Sequence, residues 1–351
     1  MVEKPDLLGM ELTEIQAFVE DMGAPRYRGV QLFQWMHKKL KADVSEMSNL
    51  PKDFRQELRN RARITNLEVL QRKDDPQGST KLLLRVPDGE AVESVVLRYE
   101  YGTSVCVSSQ LGCAMGCAMC ASTLGGLKRN LTTGEMCGQV IAAERVSRQE
   151  GHHISRIVVM GIGEPMENYE SLVRFLRIMN CREGMNISYR RMTISTCGHV
   201  PQIIRLSQEG IPVTLSVSLH APVDSLRDKL MPINRRYPLS ELLEACKTYF
   251  RVTGRRVTIE YTLMKGVNDS AQDASRLASL LRDMACHVNL IPYNPVPERQ
   301  FERPSRERVC EFAEILRDKG INVTVRREIG AGTAAACGQL RRLTERGPAK
   351  P

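Results

Sequence analysis

Residues 104–122 of this chain read SVCVSSQLGCAMGCAMCAS, a β-rich run that leads into three closely spaced cysteines. Cys113, Cys117 and Cys120 form a C-x3-C-x2-C pattern separated mainly by small residues. Thiolates this close in sequence can bind one inorganic centre together. A [4Fe-4S] cluster usually takes four cysteine ligands, so a set of three leaves one iron without a protein ligand. The stretch therefore predicts a cluster with an open coordination site.

An open iron of this kind can chelate the amino and carboxylate groups of S-adenosylmethionine (SAM). One electron from the cluster then breaks the sulfonium bond and yields an adenosyl radical. The same cysteines have two other interpretations, a zinc knuckle completed by His152 or His153, or free thiols. Their position in a loop after a strand, within a long βα chain, favours the cluster.

Short β-rich runs alternate with helical stretches from residue 104 onward. Near-continuous apolar strands are typical of a parallel sheet, and six or seven in about 230 residues indicate a complete or partial (β/α) barrel. The predicted fold class is therefore α/β, with a doubly wound open sheet as the alternative. The runs are SVCVSS (104–109), IVVMG (157–161), RMTIST (191–196), VTLSVSLH (213–220), RVTIEYTL (256–263), HVNLIPYNP (287–295) and INVTVRR (321–327).

Polar and glycine-rich residues follow several of these runs. The carboxyl ends of parallel strands form the site of a barrel enzyme, so these residues are expected to bind SAM. Gly163 and Glu164, in GIGEP, would let backbone and carboxylate approach its ammonium group. Taken singly, each position is more typical of a strand-end hydrogen bond or a turn, but together they indicate a site. The predicted cofactor-binding residues are Gly163, Glu164, Ser195, Ser218, Leu219, His220 and Asn294.

Residues 1–100 have a different pattern and form an accessory region. Apolar residues recur near the 3.6-residue period between Leu12 and Met36, which predicts helices. KLLLRV and AVESVVLRY flank the turn residues Pro87–Gly89 and predict a β-hairpin. The predicted domains are a helical accessory domain (1–75), a hairpin extension (76–100) and a barrel core with a C-terminal cysteine loop (101–345).

Composition sets limits on location and partners. The chain of 351 residues has a net charge of +9, which suggests an anionic partner. No apolar run approaches the ~20 residues of a membrane span, and MVEKPDLLG lacks the hydrophobic stretch of a signal peptide. We therefore expect a cytoplasmic protein without membrane contact. Eleven cysteines in a reducing compartment are expected as thiols, metal ligands or redox groups before disulfides.

Several motifs together resemble the RlmN/Cfr family of radical-SAM RNA adenine methyltransferases, over about Val92 to Leu340. AACGQL (335–340) and CVSSQ (106–110) are far more specific to that family than the cysteine triplet. The chain departs from it at Ile162, where Met is usual, and at Cys197, where Ser is common. GIGEP and ASTLGGLKRN are more similar to the RlmN branch. The other motifs are GIGEPMEN, STCG, SLHAP, MPINRRYP, GVNDS and IPYNP.

The resemblance implies roles for three catalytic residues. Cys337 would accept a methyl group from one SAM, and a second SAM would supply the radical that takes a hydrogen from this methyl. The resulting carbon radical would add to adenine and form a covalent protein–RNA intermediate. Cys106 would resolve it through a disulfide with Cys337, and Glu93 would act as the general base.

Each of these residues also has a structural interpretation. Strand parity places Glu93 on one face with Val95 and Leu97, but the opposite face is apolar too, so a surface carboxylate is an equal alternative. For Cys106 and Cys337 the alternative is a small buried thiol. Gly330 and Gly332 predict a flexible loop carrying Cys337. The other cysteines are expected to serve packing: Cys137, Cys181, Cys197, Cys246, Cys286 and Cys310.

The resemblance also implies partners. The substrates would be an adenine in the peptidyl-transferase region of 23S rRNA and an adenine next to the tRNA anticodon, methylated at carbon 2, with carbon 8 as the alternative. Flavodoxin or ferredoxin would supply electrons, and we expect a monomer. A radical-SAM enzyme on a peptide or small molecule, and a zinc-type RNA-binding module, are the competing classes. The helical N-terminal region and paired arginines would contact RNA: Arg190-Arg191, Arg235-Arg236, Arg255-Arg256, Arg326-Arg327 and Arg341-Arg342.

Overall fold

The computed structural model describes residues 4–326, 336–340, 343–344 and 347–348. Its N-terminal region contains the helices α1 (Leu12–Asp21), α2 (Tyr27–His37) and α3 (Lys52–Arg61). Helix α1 begins at a capping box, in which the Glu11 side chain accepts from the Glu14 N–H and the Glu14 side chain accepts from the Glu11 N–H. The predicted helical accessory region is therefore present.

These helices pack on the outside of the barrel. Ile15, Val19 and Phe33 belong to the same continuous hydrophobic core as the barrel strands. The Arg145 guanidinium also donates to the Leu40 carbonyl across the junction, at 3.0 Å. Because burying apolar area is the main stabilising term, this shared core holds the accessory region against the barrel.

Three antiparallel strands follow: β1 (Glu68–Asp75), β2 (Ser79–Arg85) and β3 (Ala91–Tyr99). The hairpin predicted around Pro87–Gly89 is confirmed as β2 and β3. Residues 68–75, by contrast, lay in the predicted helical domain and form a strand, because their backbone pairs along the edge of β2. Seven of these eight residues are exposed, so the apolar alternation that signals a strand is missing there.

The remaining strands follow the predicted runs. In the ten-stranded sheet, the parallel strands β4 and β7 to β12 lie side by side in chain order, whereas a doubly wound sheet reverses at a switch point, so that alternative is wrong. The strands are β4 (Gly102–Cys106), β5 (Gln110–Gly112), β6 (Leu127–Asn130), β7 (Ile154–Val159), β8 (Met192–Thr196), β9 (Thr214–Ser218), β10 (Val257–Leu263), β11 (Cys286–Pro292), β12 (Val323–Val325), β13 (Leu343–Thr344) and β14 (Gly347–Pro348).

Helices connect successive parallel strands. They are α4 (Thr133–Gln149), α5 (Tyr169–Asn180), α6 (Val200–Gln208), α7 (Asp224–Leu230), α8 (Leu239–Thr253), α9 (Ala271–Leu281) and α10 (Arg306–Asp318). In the described part of the chain, no helix combines the length and apolar character needed to cross a bilayer.

Side-chain alternation gives the parallel strands two different faces. Outward residues such as Ile194 and Val217 are buried in the hydrophobic core. Inward residues such as Thr193 and Ser216 line an interior cavity, together with residues of β3, β7, β10 and β11. Strands this far apart in the sheet can face one cavity only if the sheet curls round it. Since β1 and β12 are its two edges, the architecture is a partial barrel.

Candidate active site

The three cysteines of the triplet lie in the loop between β5 and β6. Cys120 N donates to the Cys117 carbonyl (3.2 Å), and the Arg299 guanidinium donates to the Cys120 carbonyl (3.0 Å). Cys113 lies directly after β5. All three thiols are free and line one cavity together with residues from the carboxyl ends of the strands. We call this space the upper cavity.

The donor set suits an iron–sulfur cluster with one open iron. Burial raises the pKa of the Cys113 thiol to about 12 and also raises that of Cys117, so cluster binding, which needs thiolates, releases protons. In the described part of the chain, no three His, Cys, Asp or Glu side chains converge as the ligands of a single metal ion do. A four-iron cluster binds each thiolate through a different iron, so its ligands need no common centre.

The GIGEP segment after β7 packs closely against the segment before the cluster loop. Ile162 O accepts from Ser109 N (2.9 Å), and Gln110 Oε1 accepts from Glu164 N (2.8 Å). Gly163 has φ +106°, and a Cβ there would lie 2.6 Å from the Gln110 Cβ, so the position requires glycine. The two segments therefore form one wall of the upper cavity.

Glu164 is a buried carboxylate on this wall. Its oxygens accept from Cys197 N (2.7 Å) and Met166 N (3.0 Å). Burial raises the pKa of Glu164, and these hydrogen bonds oppose the rise. A buried carboxylate is costly without a charged partner, so the position suits the ammonium group of SAM.

The other predicted strand-end residues are brought to the same place, with one exception. Leu219 buries its side chain in the hydrophobic core, and its backbone N–H donates to the Glu260 carbonyl (3.0 Å). The residues that do line the upper cavity are Gly163, Glu164, Ser195, Ser218, His220 and Asn294.

His220 is held in one orientation and one tautomer. It adopts φ +57°, and its Nδ1 accepts from Thr262 N at 3.0 Å. Burial lowers the pKa of the ring to about 3, so the imidazole is neutral. With Nδ1 accepting, the ring proton is on Nε2 and is available as a donor.

Arg227 is a buried brace that the sequence reasoning missed. Its side chain is completely buried, and its guanidinium donates to the carbonyls of Cys197 (2.7 Å), Ser218 (3.0 Å) and Leu219 (3.1 Å). It therefore ties the ends of β8 and β9 together beneath the upper cavity. It lies in DSLRDKL (224–230), a charged stretch whose pattern carries no signal of a buried guanidinium.

The described part of AACGQL is fixed beside the cluster loop. In residues 336–340, the Gly338 carbonyl accepts from Ala121 N (2.8 Å) and the Leu340 carbonyl accepts from Ser122 Oγ (2.8 Å). Ala121 and Ser122 directly follow the third cysteine of the triplet. The loop thus reaches the cluster site from the other end of the chain.

Two amides attach the same segment to the end of β11. Asn294 Nδ2 donates to the Cys337 carbonyl (3.2 Å), and Gln339 Nε2 donates to the Pro295 carbonyl (3.0 Å). Gln339 Oε1 also accepts from Ala336 N (3.2 Å). Cys337 is half-buried as a result and lines the upper cavity.

Cys106 faces a second, adjoining space. This space, the cysteine cavity, is lined by Cys106, Cys120 and Cys337 among other residues. Burial raises the pKa of the Cys106 thiol to about 12. The structure therefore places the two predicted reactive cysteines at one cavity, next to a predicted cluster ligand.

Arg326 lies where the two cavities meet and lines both. The sequence suggested an RNA-contacting pair, but this side chain is directed into the barrel. The pKa of Arg326 is raised, chiefly by Cys337 and then by Glu260. Its positive charge opposes the rise that burial imposes on the pKa values of the Cys337 and Cys106 thiols.

Two further cavity residues were missed. Glu260 accepts from Asn289 Nδ2 (2.9 Å), and burial raises the pKa of Glu260. Its signal was a carboxylate in the apolar run VTIEYTL, at an inward-facing position. Cys197 packs in a buried hydrophobic cluster, as expected, and also lines the upper cavity, where its backbone N–H donates to Glu164.

Glu93 is completely buried in β3, so the surface alternative is wrong. Lys81 Nζ lies 2.5 Å from Glu93 Oε1. Val95 and Leu97, on the same face of β3, line the cysteine cavity. Glu93 precedes Val95 by two residues on that face and is not part of the cavity wall. Its carboxylate thus lies on a strand that borders the cysteine cavity and is paired with the Lys81 ammonium group.

All eleven cysteines are free thiols, so the structure gives no support to a disulfide between Cys106 and Cys337. Other predictions lie outside the described residues: the glycines Gly330 and Gly332, the arginines Arg327, Arg341 and Arg342, and the end of the barrel domain at residue 345.

A partial βα barrel that gathers three cysteines and several polar strand ends around one cavity defines the radical-SAM class of enzymes. Residues 107–278 match the model of the radical SAM superfamily. Residues 5–64 match the ribosomal RNA large subunit methyltransferase N-terminal domain. The cofactors are those predicted, a [4Fe-4S] cluster and SAM.

Relatives narrow this class further. A probable dual-specificity RNA methyltransferase RlmN of Bacillus thuringiensis (strain Al Hakam) is 47% identical over 339 residues, which cover 97% of this chain and 94% of the relative. A protein of the same name from Bacillus anthracis (strain A0248) has the same identity and coverage. A radical SAM methyltransferase from Sphaerobacter thermophilus is 48% identical, with a TM-score of 0.93 over 96% of this chain and 99% of that one. The chain belongs to the RlmN family of radical-SAM RNA methyltransferases.

Proposed function

We propose that this enzyme methylates carbon 2 of an adenine in the peptidyl-transferase region of 23S rRNA and of an adenine next to the tRNA anticodon. One observation carries the proposal: Cys337 lines both the upper cavity, with the cluster cysteines, and the cysteine cavity, with Cys106. A methyl carrier has to meet the methyl donor on one side and the resolving thiol on the other. The relatives' name, dual-specificity RNA methyltransferase, supports two RNA substrates.

The methyl group first moves to the protein. The Cys337 thiolate attacks the methyl group of a first SAM, the thiol proton having left, and its sulfur becomes methylated. When bound by Cys113, Cys117 and Cys120, the cluster supplies the electron that cleaves a second SAM to an adenosyl radical. The adenosyl radical takes a hydrogen atom from the methyl group and becomes 5′-deoxyadenosine. The carbon radical left on Cys337 then adds to carbon 2 of adenine.

The covalent adduct is then released. The adduct radical loses one electron, which the oxidised cluster held by Cys113, Cys117 and Cys120 would accept, and Glu93 accepts the proton from carbon 2. The Cys106 thiolate attacks the Cys337 sulfur, so an S–S bond forms and the S–C bond breaks. Its electron pair stays on the carbon, which takes a proton and becomes the new methyl group. A thiol reductant regenerates both cysteines, and flavodoxin or ferredoxin supplies the low-potential electrons.

Methylation at carbon 8 is the alternative outcome of the same chemistry. GIGEP and the ASTLGGLKRN segment favour carbon 2, because both are more similar to the RlmN branch. We place the reaction in the cytoplasm, carried out by a monomer that acts on RNA with its target base flipped out of the stack.

Mass spectrometry of digested rRNA and tRNA tests the proposal directly. RNA from cells that lack the protein should lose 2-methyladenosine from both RNAs, and the gene for the intact chain should restore it. The Cys337→Ala chain, which keeps the cluster ligands, is the matched control and should restore nothing. Loss of 8-methyladenosine, or no change in either RNA, would contradict the assignment.

A further inference from the structure

The amino-terminal half of the barrel contains a second large space, which we call the lower cavity. Its volume is ≈ 920 Å³, near the top of the roughly 300–1,000 Å³ range of ligand pockets, and so ample for a nucleotide. Its wall carries hydroxyl and amide groups such as those of Thr193, Ser216 and Asn289. An ordinary barrel fills these positions with branched apolar side chains. The interior is therefore open and polar.

The lower cavity adjoins the cavity that the reactive cysteines line. Tyr99, Met160 and Arg326 line both the lower cavity and the cysteine cavity. Cys337 lines the cysteine cavity but not the lower cavity. A group in the lower cavity is therefore separated from the cavity of Cys337 by these three side chains.

A stacked aromatic pair lies on the wall of the lower cavity. Tyr99 ends β3, and Tyr101 lies in the short turn before β4. Their rings are stacked, with centroids 4.9 Å apart and planes 7° from parallel. The Arg156 guanidinium lies 5.1 Å from the centroid of the Tyr101 ring. Tyr101 is nevertheless 65% exposed, so part of its ring faces solvent.

We propose that Tyr101, supported by Tyr99 and Arg156, is a stacking platform for an unpaired base of the substrate RNA, on the wall of the lower cavity beside the cavity that Cys337 lines. The inference rests on the proposed RNA function and deepens it. Stacking on a tyrosine is open to every base, because each has a π-face, and a nearby guanidinium adds a cation for the phosphate chain. A base that leaves its own stack regains stacking there.

Substitutions at Tyr101 separate stacking from charge. The reconstituted full chain is titrated with an anticodon stem–loop RNA that carries 2-aminopurine beside the target adenine. Tyr101→Ala should weaken binding about tenfold and reduce quenching of the 2-aminopurine fluorescence. Its salt dependence should match that of the original chain, because no phosphate contact is lost. Tyr101→Phe should restore both signals.

Phe250→Ala, which removes a 38% exposed aromatic ring on α8, is the matched control and should bind RNA like the original chain. Equal iron content and absorbance establish that each variant is folded. If the Tyr101→Ala protein binds RNA and quenches 2-aminopurine normally while the original chain methylates RNA, the stacking proposal is wrong and the proposed function stands. A smaller salt dependence of RNA binding by the Tyr101→Ala protein would show that a phosphate contact was lost, and would contradict the stacking proposal. If the original chain neither binds nor methylates RNA, the proposed function itself is wrong.

Discussion

Cys106 and Cys337 line a cavity in which burial raises the pKa values of both thiols. A thiol is a poor nucleophile until it loses its proton, so burial alone works against the proposed steps. Arg326, which lines the same cavity, opposes this by stabilising the thiolates. At the residue scale, the reactivity of each cysteine is thus set by the positive charge beside it as well as by its burial.

Replacing Cys337 and replacing Cys106 should stop the reaction at different steps. Cys337→Ala removes the methyl acceptor, so no adduct with RNA can form. Cys106→Ala leaves the acceptor intact, and addition to adenine should proceed while release stops. A denaturing gel of anaerobically purified Cys106→Ala protein should show a retarded, nuclease-sensitive band, which is absent from the double variant. Normal turnover by Cys106→Ala, or trapped RNA on Cys337→Ala, would refute these roles.

At the scale of elements, the site joins strand ends to a loop that comes from the end of the chain. In residues 336–340, the Gln339 side chain makes two hydrogen bonds: one attaches the loop to the Pro295 carbonyl, and the other, with Ala336 N, lies within the loop. Because each hydrogen bond contributes on the order of 1 kcal/mol, the docked position of Cys337 should respond to the loss of this side chain.

Gln339→Ala should therefore undock Cys337 without disturbing the cluster. Losing two hydrogen bonds should reduce methylation of Cys337 about tenfold or more, as measured by peptide mass spectrometry after incubation with SAM. Iron content should stay unchanged, because the triplet is untouched. Gln300→Ala, at an exposed glutamine of the neighbouring loop, is the control. Methylation at the normal rate would show that the loop docks without the Gln339 bonds.

At the scale of the whole molecule, the charge of +9 should govern RNA affinity. Phosphate contacts release counterions, so the logarithm of the association constant should fall linearly with the logarithm of salt concentration, by about 0.7 per contact for a single strand. Filter binding of the stem–loop RNA from low to moderate salt measures this slope. A flat response would mean that phosphate contacts contribute little.

The sequence by itself determined whatever depends on neighbouring residues. Cys113, Cys117 and Cys120 lie within one loop, so their spacing alone indicates that they bind one iron–sulfur cluster. The alternation of β-rich and helical runs indicated a parallel α/β sheet, because a side-chain period can be recognised locally. GIGEP likewise carries its glycines and Glu164 in one turn.

Only the tertiary structure decided which distant residues meet. It brought Cys106 and Cys337 to one cavity, directed Arg326 into the barrel, and buried Arg227 as a brace. It also made a strand of residues 68–75, whose exposed side chains carry no apolar pattern. These outcomes depend on strand pairing and on the curling of the sheet, which involve groups far apart in the chain. No local period or spacing predicts such contacts, because they form only when the sheet has curled and brought distant strands around one interior.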